Sequence, residues 1–219
     1  MFTTVVCSLS GVLWHDQPVR ERVLQELLLQ ENLSPRRRHP WYLGGSDRAF
    51  LRQVWDSYGR SLTDDYLTHL VQRFQQQYFQ AMQALPQLPW RPDALAFLQQ
   101  AQQRGHHLGW QTDCLPVLGL VQQIGIWGFH IPHDQALTDP DRTLVVESSR
   151  QGLLQAKARG AWVLGVASQM PFHWVQRHAH WVVDTLADWD WTRLPGLRAP
   201  AVPPALAAAD AETRTELPR

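Results

Sequence analysis

The sequence predicts an α/β protein built on a doubly wound parallel sheet, with a helical segment inserted after the first strand. Two observations lead to this prediction. A short, β-branched apolar run at residues 3–7 is followed by about 70 residues in which only helical patterns occur. From residue 92 onwards, helical and strand patterns alternate at lengths that are typical of right-handed βαβ units, which build parallel sheets.

The first predicted element is a strand, and the three that follow are helices. Residues 3–7 (TTVVC) form a continuous apolar run, which is typical of a buried strand. Residues 17–31 place apolar side chains at helical spacing, and residues 46–58 begin with a Ser–Asp pair that suits a helix N-terminus. Residues 63–84 continue as a long, Gln-rich helix, whose apolar face begins at Tyr66.

The second half of the chain alternates between helix and strand. The predicted elements are a helix over 92–105, a strand over 106–112, a helix over 115–125, a strand and turn over 143–149, a helix over 152–160, a strand over 161–167, and a short strand with a final helix over 180–189. Gly105 and Gly125 stand at the ends of two of these helices, which is a common position for glycine.

These elements divide the chain into three regions. Residues 1–14 and 88–194 form the predicted sheet core, residues 15–87 a helical cap, and residues 195–219 a flexible, Pro/Ala-rich tail with few side chains to bury. In parallel sheets, ligands bind at the carboxyl ends of the strands. We therefore expect one crevice to be surrounded by the residues that follow the strands, namely Ser8 to Gly11, Thr112 with Asp113, and Glu147 to Ser149.

The overall composition argues against several classes of partner. The formal net charge is zero, so we expect no nucleic acid and no anionic membrane surface as a partner. No stretch reaches the length of apolar sequence that crosses a membrane, and no signal peptide is evident, so we predict a cytoplasmic protein without membrane insertion. The two cysteines do not form a disulfide framework.

Five segments resemble, in order, the motifs of the haloacid dehalogenase (HAD) superfamily, in its branch with a helical cap. That branch includes phosphoglycolate phosphatase-like and β-phosphoglucomutase-like enzymes. SLSGVL at 8–13 stands where the family reads DxDGVL, and VVESSRQGLLQAKARGAWVLGV at 145–166 resembles its fourth motif. The other three segments are LGGSDRAFL at 43–51, WRPDALAFLQQAQQRGHHLGWQTD at 90–113 and HWVVDTLADW at 180–189. The resemblance covers about residues 1–194.

The resemblance implies a phosphoryl-transfer site from which the acidic residues are missing. The family uses one Asp as nucleophile, a second Asp two residues later as general acid/base, an Asp of the fourth motif to hold Mg²⁺, and a Lys of the third motif. By position, these Asp residues are replaced by Ser8, Ser10 and Ser148. Glu147 is the carboxylate that is left at the matched positions. The chain's one lysine, Lys157, follows the fourth motif, so the third-motif Lys is absent.

These replacements predict a catalytically inactive, HAD-like protein. A serine hydroxyl is neutral at pH 7, so it is a poor ligand for Mg²⁺ and a poor general base. We therefore expect no cofactor, and we interpret the chain as a binding, assembly or regulatory factor with a protein partner.

Two alternatives stay open. The first is a divergent HAD-type phosphomonoester hydrolase that uses Mg²⁺, in which Asp113, Asp16 or Asp134 replaces a missing carboxylate. The second is a sensor that binds a phosphorylated small molecule without turnover. It would use Thr112, which matches the family's phosphate-binding Thr/Ser, and backbone N–H groups of the loop that ends at Gly11.

Overall fold

The computed structural model describes residues 2–35, 46–122, 128–132 and 135–193, and a six-stranded parallel sheet lies at its centre. The strands are β1 (Thr4–Ser8), β2 (His107–Gln111), β3 (Phe129–His130), β4 (Thr143–Glu147), β5 (Trp162–Val166) and β6 (Trp181–Val183). Their order is β3-β2-β1-β4-β5-β6, so β1 lies between β2 and β4, as predicted. The direction of winding reverses at β1, and such a reversal is where doubly wound sheets bind ligands.

Helices connect the strands and confirm the predicted fold class. They are α1 (Gln17–Gln30), α2 (Asp47–Ser57), α3 (Asp64–Gln83), α4 (Ala94–Gln103), α5 (Leu118–Gln122), α6 (Arg150–Ala158) and α7 (Phe172–His178). Helices α1 to α3 lie between β1 and the helix that precedes β2, and we call them the helical insert. None of the helices described is both long enough and apolar enough to span a membrane. The predicted tail at 195–219 lies outside the described residues.

Two predicted helices need correction, and two observed elements were not predicted. The helix predicted over 115–125 is a 3₁₀ turn followed by the short α5, and residues 123–127 lie outside the described residues. The final helix predicted within 180–189 is a 3₁₀ turn. Strand β3 and helix α7 were not predicted, because β3 has only two residues and α7 buries only Val175, which leaves too little periodicity to detect.

The two faces of the sheet pack against different helices. Val5 and Cys7 of β1 belong to a core that also contains residues of α1 to α5. Val6 points to the opposite face, where Leu153 of α6 and Val175 of α7 complete a second core. Successive side chains of a strand point to opposite faces, so the middle positions of a strand are apolar on both faces when helices cover both.

The helical insert buries one side of α3 against α1 and α2. The hydroxyl groups of Ser46 and Thr63 accept backbone N–H groups at the starts of α2 and α3, as expected for N-caps. The predicted apolar face of α3 is wrong at its first residue. Tyr66 is 41% exposed and donates its hydroxyl to Glu31 at the surface, while Leu67 takes the buried position.

Gly165 of β5 allows α7 to approach the sheet closely. A Cβ at this position would lie 2.2 Å from Cγ1 of Val175 and 3.0 Å from Cβ of Ala179. We expect Gly165→Ala to destabilise the protein by about 1–3 kcal/mol in urea unfolding, because the core must shift to admit the methyl group. Gly119→Ala is the matched control, since a Cβ there meets no atom within 4 Å. Equal losses for the two variants would contradict this account.

His180 should make the stability of the protein depend on pH below neutrality. Its Nδ1 accepts the backbone N–H of Val163 at 2.9 Å, so the ring is neutral in the fold. Burial, with a smaller contribution from Lys157, lowers the pKa of His180 from 6.5 to about 4. The unfolded chain then binds more protons between these two values, so stability is lost as pH falls from 6.5 towards 4.

The variant His180→Asn keeps an acceptor but cannot titrate in this range. Between pH 7 and pH 4.5, we expect the Tm of the unmodified protein to fall more steeply than that of the variant. The other histidines titrate in both proteins, so they cancel in the comparison. Two parallel curves of Tm against pH would show that His180 does not control this loss.

Candidate functional site

Three strands end side by side at the edge of the sheet where the candidate site was predicted. Ser8 ends β1, and Gln111, which precedes Thr112, lies opposite it at the end of β2. Glu147 ends β4 on the other side of β1, and its carboxylate accepts the hydroxyl of Ser8. The polar positions that follow these strands therefore share one edge, as predicted.

The carboxylate of Glu147 is buried and hydrogen-bonded at both oxygens. One oxygen accepts the hydroxyl of Ser8, and the other accepts the backbone N–H groups of Ser148 and Ser149 at 2.6 and 2.5 Å. Gly152 leaves room for this arrangement, because a Cβ there would lie 2.4 Å from the carboxylate carbon of Glu147. The donors offset the cost of removing the carboxylate from water.

The loop after β1 closes over these residues. Gly11 has a left-handed φ of 76°, and a Cβ there would lie 2.4 Å from Ser148 Oγ and 2.3 Å from Gln169 Nε2. The N–H of Gly11 donates to the carbonyl of Trp14 at 2.9 Å. Its carbonyl accepts the hydroxyl of Ser168 at 2.5 Å. Both backbone polar groups of Gly11 therefore have partners inside the protein.

The space beside this loop holds little more than a water molecule. A cavity of about 10 Å³ lies there, which is roughly the volume that one water needs. It is lined by Gly11, Trp14, His15, Asp16, Gln17, Ser168 and Gln169. Ser8 and Ser148 are only 3% and 1% exposed, so a phosphate group does not reach either hydroxyl in this conformation.

A second set of polar contacts joins the loop after β1 to the helical insert. The carboxylate of Asp16 is completely buried and accepts the hydroxyl of Ser10 at 2.9 Å and that of Tyr78 at 2.6 Å. Burial raises the pKa of Tyr78 well above its usual value, and the charge of Asp16 raises it further. Tyr78 therefore stays protonated and remains a donor to Asp16.

Arg20 supplies the positive charge of this region. Its guanidinium donates to Asp47 at 2.5 Å and lies 5.2 and 5.3 Å from the ring centroids of Phe74 and Tyr78. The two rings are parallel, within 5°, and the cation over their faces is a favourable cation–π arrangement. Asp47 and the two aromatic rings thus hold the guanidinium of Arg20 in place.

Gln75 and Asp113 complete the connection between the core and the helical insert. Nε2 of Gln75 donates to the carboxylate of Asp47 at 3.1 Å and to the carbonyl of Asp113 at 3.0 Å. The carboxylate of Asp113 in turn accepts the backbone N–H of Asp47. We call the following six residues the interface network: Asp16, Arg20, Asp47, Gln75, Tyr78 and Asp113.

No family model matches the chain, and neither does any curated protein. Several solved structures, however, are similar to the chain. A β-phosphoglucomutase from Clostridium difficile is similar to this chain with a TM-score of 0.71, over 88% of this chain and 95% of the other, at 11% identity. A HAD hydrolase of family IA, variant 3, from Entamoeba histolytica gives 0.70 over 88% and 96%, at 14% identity. A predicted phosphoglycolate phosphatase from Haemophilus somnus gives 0.64 over 85% and 96%, at 17% identity.

The chain has the HAD fold. Identities this low establish the fold alone, and the activities named for these structures belong to those proteins. The similarity extends over nearly the full length of each of them, so it includes the helical insert as well as the sheet.

At the positions that the HAD resemblance assigns to catalysis, the residues do not fit a magnesium ion. Mg²⁺ requires near-octahedral coordination by oxygen ligands, usually with carboxylates among them. Ser8 and Ser148 offer neutral hydroxyls, and both oxygens of Glu147 already accept hydrogen bonds. Across the part of the chain that the structure describes, no three His, Cys, Asp or Glu side chains are grouped so that they could hold a metal.

The remaining candidates from the sequence have structural partners or lie outside the described residues. The hydroxyl of Thr112 accepts the backbone N–H of Cys114 at 3.2 Å, in the turn after β2. Asp113 and Asp16 make the contacts of the interface network, and Asp16 also lines the cavity beside Gly11. Asp134 lies outside the described residues.

Sequence reasoning did not find Arg20, Asp47, Gln75 and Tyr78, although they form most of the interface network. Tyr78 follows the apolar face of α3, so its pattern predicts only a core residue. One signal was available for Arg20: it stands four residues after Asp16, a spacing at which oppositely charged side chains meet on a helix. The direct ion pair is nevertheless with Asp47, from another helix.

The contact between Tyr78 and Asp16 should be worth more than a similar contact at the surface. We expect Tyr78→Phe to lower the free energy of unfolding by about 1.5–3 kcal/mol, since it removes a buried donor from a carboxylate. Tyr66→Phe is the matched control, because Tyr66 also donates to a carboxylate, that of Glu31, but at the exposed surface. Urea unfolding measures both. A loss for Tyr66→Phe as large as that for Tyr78→Phe would contradict the importance of the interface network.

Proposed function

We propose that this protein is a HAD-fold protein without phosphoryl-transfer activity, which acts by binding another protein as an assembly or regulatory factor. The observation that carries the proposal is the hydrogen bond from the Ser8 hydroxyl to the Glu147 carboxylate in a closed crevice. Ser8 stands where the resemblance expects the nucleophile. Its hydroxyl and the carboxylate beside it satisfy each other, and both side chains are buried.

The electrostatics of the crevice also oppose phosphoryl transfer. This chemistry depends on positive charge around the phosphoryl oxygens. A phosphate at Ser8 would instead face the carboxylate of Glu147. Lys157 lies in the last turn of α6, about two helical turns from the residues that follow Glu147, and Arg20 is paired with Asp47.

The interface network supports a closed, non-catalytic arrangement of core and helical insert. Separating the insert from the core would expose the buried carboxylate of Asp16 and break its hydrogen bond with Tyr78 of α3. It would also part Gln75 from the loop that carries Asp113. Buried groups that lose their partners are costly, so the network favours the closed state.

A second candidate function rests on the same contact. Glu147 could act as a general base toward Ser8, which would make the protein a divergent phosphomonoester hydrolase with a serine nucleophile. The burial of both residues and the two backbone donors on the other oxygen of Glu147 weigh against it. The sensor hypothesis is weakened as well, because the N–H of Gly11 already donates to Trp14.

A phosphatase assay separates these functions. With p-nitrophenyl phosphate and excess Mg²⁺, we expect turnover by the unmodified protein to be no higher than turnover by Ser8→Ala or by Glu147→Gln. Turnover that both substitutions abolish would establish the serine hydrolase. Turnover that survives Ser8→Ala but follows Mg²⁺ concentration would establish a rewired site elsewhere. Either result would refute the proposal.

Restoring the missing acids should create a response to Mg²⁺ that the unmodified protein lacks. In Ser8→Asp/Ser10→Asp/Ser148→Asp, new carboxylates adjoin Glu147, and their repulsion and burial should cost about 3–5 kcal/mol of stability in EDTA. Mg²⁺ binds the folded state selectively, so it should raise the Tm of the variant.

Thermal unfolding with Mg²⁺ and with EDTA measures this effect, and the single variant Ser8→Asp is a milder form if the triple variant does not fold. Phosphatase activity should return weakly or not at all, because no lysine stands where the family places one. An equal rise of Tm in the unmodified protein would mean that a magnesium site already exists.

A further inference from the structure

The side chain of Gln169 lies against the loop that closes the crevice. Gln169 belongs to the segment that follows β5, and it is partly exposed, so it stands between the solvent and the interior. The atoms nearest to a Cβ built on Gly11 are Nε2 of Gln169 at 2.3 Å and Oγ of Ser148 at 2.4 Å. The amide of Gln169 and the hydroxyl of Ser148 are therefore neighbours in the space that Gly11 leaves open.

The hydroxyl of Ser148 is buried without a hydrogen-bond partner. Ser148 is 1% exposed, and its Oγ has no partner among the residues that the structure describes. Its backbone N–H, in contrast, donates to the carboxylate of Glu147 at 2.6 Å. An unsatisfied buried hydroxyl costs free energy, so Ser148 Oγ would gain a hydrogen bond from any polar group that reached it.

The segment that carries Gln169 is fixed at its base, whereas the amide stands at the end of a flexible side chain. Ser168 donates its hydroxyl to the carbonyl of Gly11 at 2.5 Å, which holds this segment against the loop after β1. Several rotatable bonds separate the Gln169 amide from its backbone, and each has more than one staggered state. A change of rotamer therefore moves the amide away from Ser148 while the backbone stays in place.

The cavity beside the loop lies next to the same side chain. Gln169 lines it together with Gly11 and Asp16, and its volume is about 10 Å³, roughly that of one water. Adding the space of the amide to this cavity makes room for a polar group of about the amide's own size. The carboxylates of Glu147 and Asp16 stand near this space and would repel an anion.

We propose that Gln169 is a plug, whose amide closes the crevice over Ser148 and, when it turns outward, admits a small uncharged polar group to the Ser148 hydroxyl. The inference rests on the proposed function, since it names what controls access to the inactive crevice. The plug itself sets the size of that group, which is about that of a carboxamide. A charged group would have to leave water for this small space, which is costly.

Alkylation of a cysteine at the buried hydroxyl tests the plug in the full chain. The variant is Ser148→Cys and the probe is iodoacetamide, an uncharged carboxamide. The cysteine sulfur bonds to the methylene carbon, iodide leaves, and the thiol proton passes to solvent. Mass spectrometry follows the label at this position, since Cys7 and Cys114 are buried. We expect Ser148→Cys/Gln169→Ala to react about tenfold faster than Ser148→Cys, because the thiol is uncovered.

Gln17→Ala is the matched control. Gln17 lines the same cavity, but its amide donates to Glu21 at 2.8 Å and is directed along α1. Ser148→Cys/Gln17→Ala should therefore react as slowly as Ser148→Cys. Equal rates in all three proteins, or equal acceleration by the two glutamine substitutions, would overturn the plug.

Iodoacetate, the anionic counterpart of the probe, tests the charge of the group that is admitted. The preference for iodoacetamide is measured in folded Ser148→Cys/Gln169→Ala and in the same protein unfolded in urea. We expect the folded protein to show a preference that is about fivefold larger, because the nearby carboxylates repel the anion. The same preference in both states would overturn the choice of an uncharged group.

Hydrogen exchange tests the plug without a new cysteine, so it decides the matter even if Ser148→Cys does not fold. The backbone N–H groups of Ser148 and Ser149 donate to Glu147. In Gln169→Ala, they should exchange about threefold faster or more than in the unmodified protein, and Gln17→Ala should leave their rates unchanged. Unchanged exchange in Gln169→Ala would overturn the plug.

The proposed function is judged by a different readout. Turnover of p-nitrophenyl phosphate by the unmodified protein that Ser8→Ala abolishes would refute the proposed function. The alkylation and exchange rates would still decide whether Gln169 closes the crevice.

Discussion

A carboxylate that is removed from water must find hydrogen-bond donors inside the protein, and this constraint acts at Glu147, at the carboxyl end of the central strand β4. The donors come from Ser8 on the neighbouring strand and from the backbone of the turn that starts α6. Gly152 admits the carboxylate to that turn, and Gly11 lets the loop after β1 close over it. One buried side chain thus ties β1, β4 and α6 together at the carboxyl edge of the sheet.

The interface network extends the same principle to the helical insert. Asp16 and Asp47 bring two negative charges into the boundary between insert and core, and Arg20 provides the compensating positive charge between aromatic rings. The hydroxyls of Ser10 and Tyr78 satisfy Asp16 from the two sides of this boundary. A boundary with so many satisfied polar groups specifies one relative placement of insert and core.

The fold could be predicted because its signals are local. Helices α1, α3 and α4 follow amphipathic periods over ten or more residues, and they end within a few residues of the predicted positions. Strands β4 and β5 are buried on both faces and read as continuous apolar runs. Elements β3 and α7 were not predicted because they are short. Tyr66 was wrongly predicted to be buried, because helical spacing alone does not show which residues at the margin of an apolar face pack against another helix.

The sequence by itself determined the order of the elements, the position of Ser8 at the end of a central strand, and the absence of the acids and the lysine that the HAD motifs carry. Only the tertiary structure decided what these residues do. Ser8 meets a carboxylate 139 positions away, and Tyr78 meets Asp16 across 62 positions. Such contacts depend on the register of the sheet and on how the helical insert packs against it. Those are set by the summed packing of the whole chain, so no local pattern reveals them.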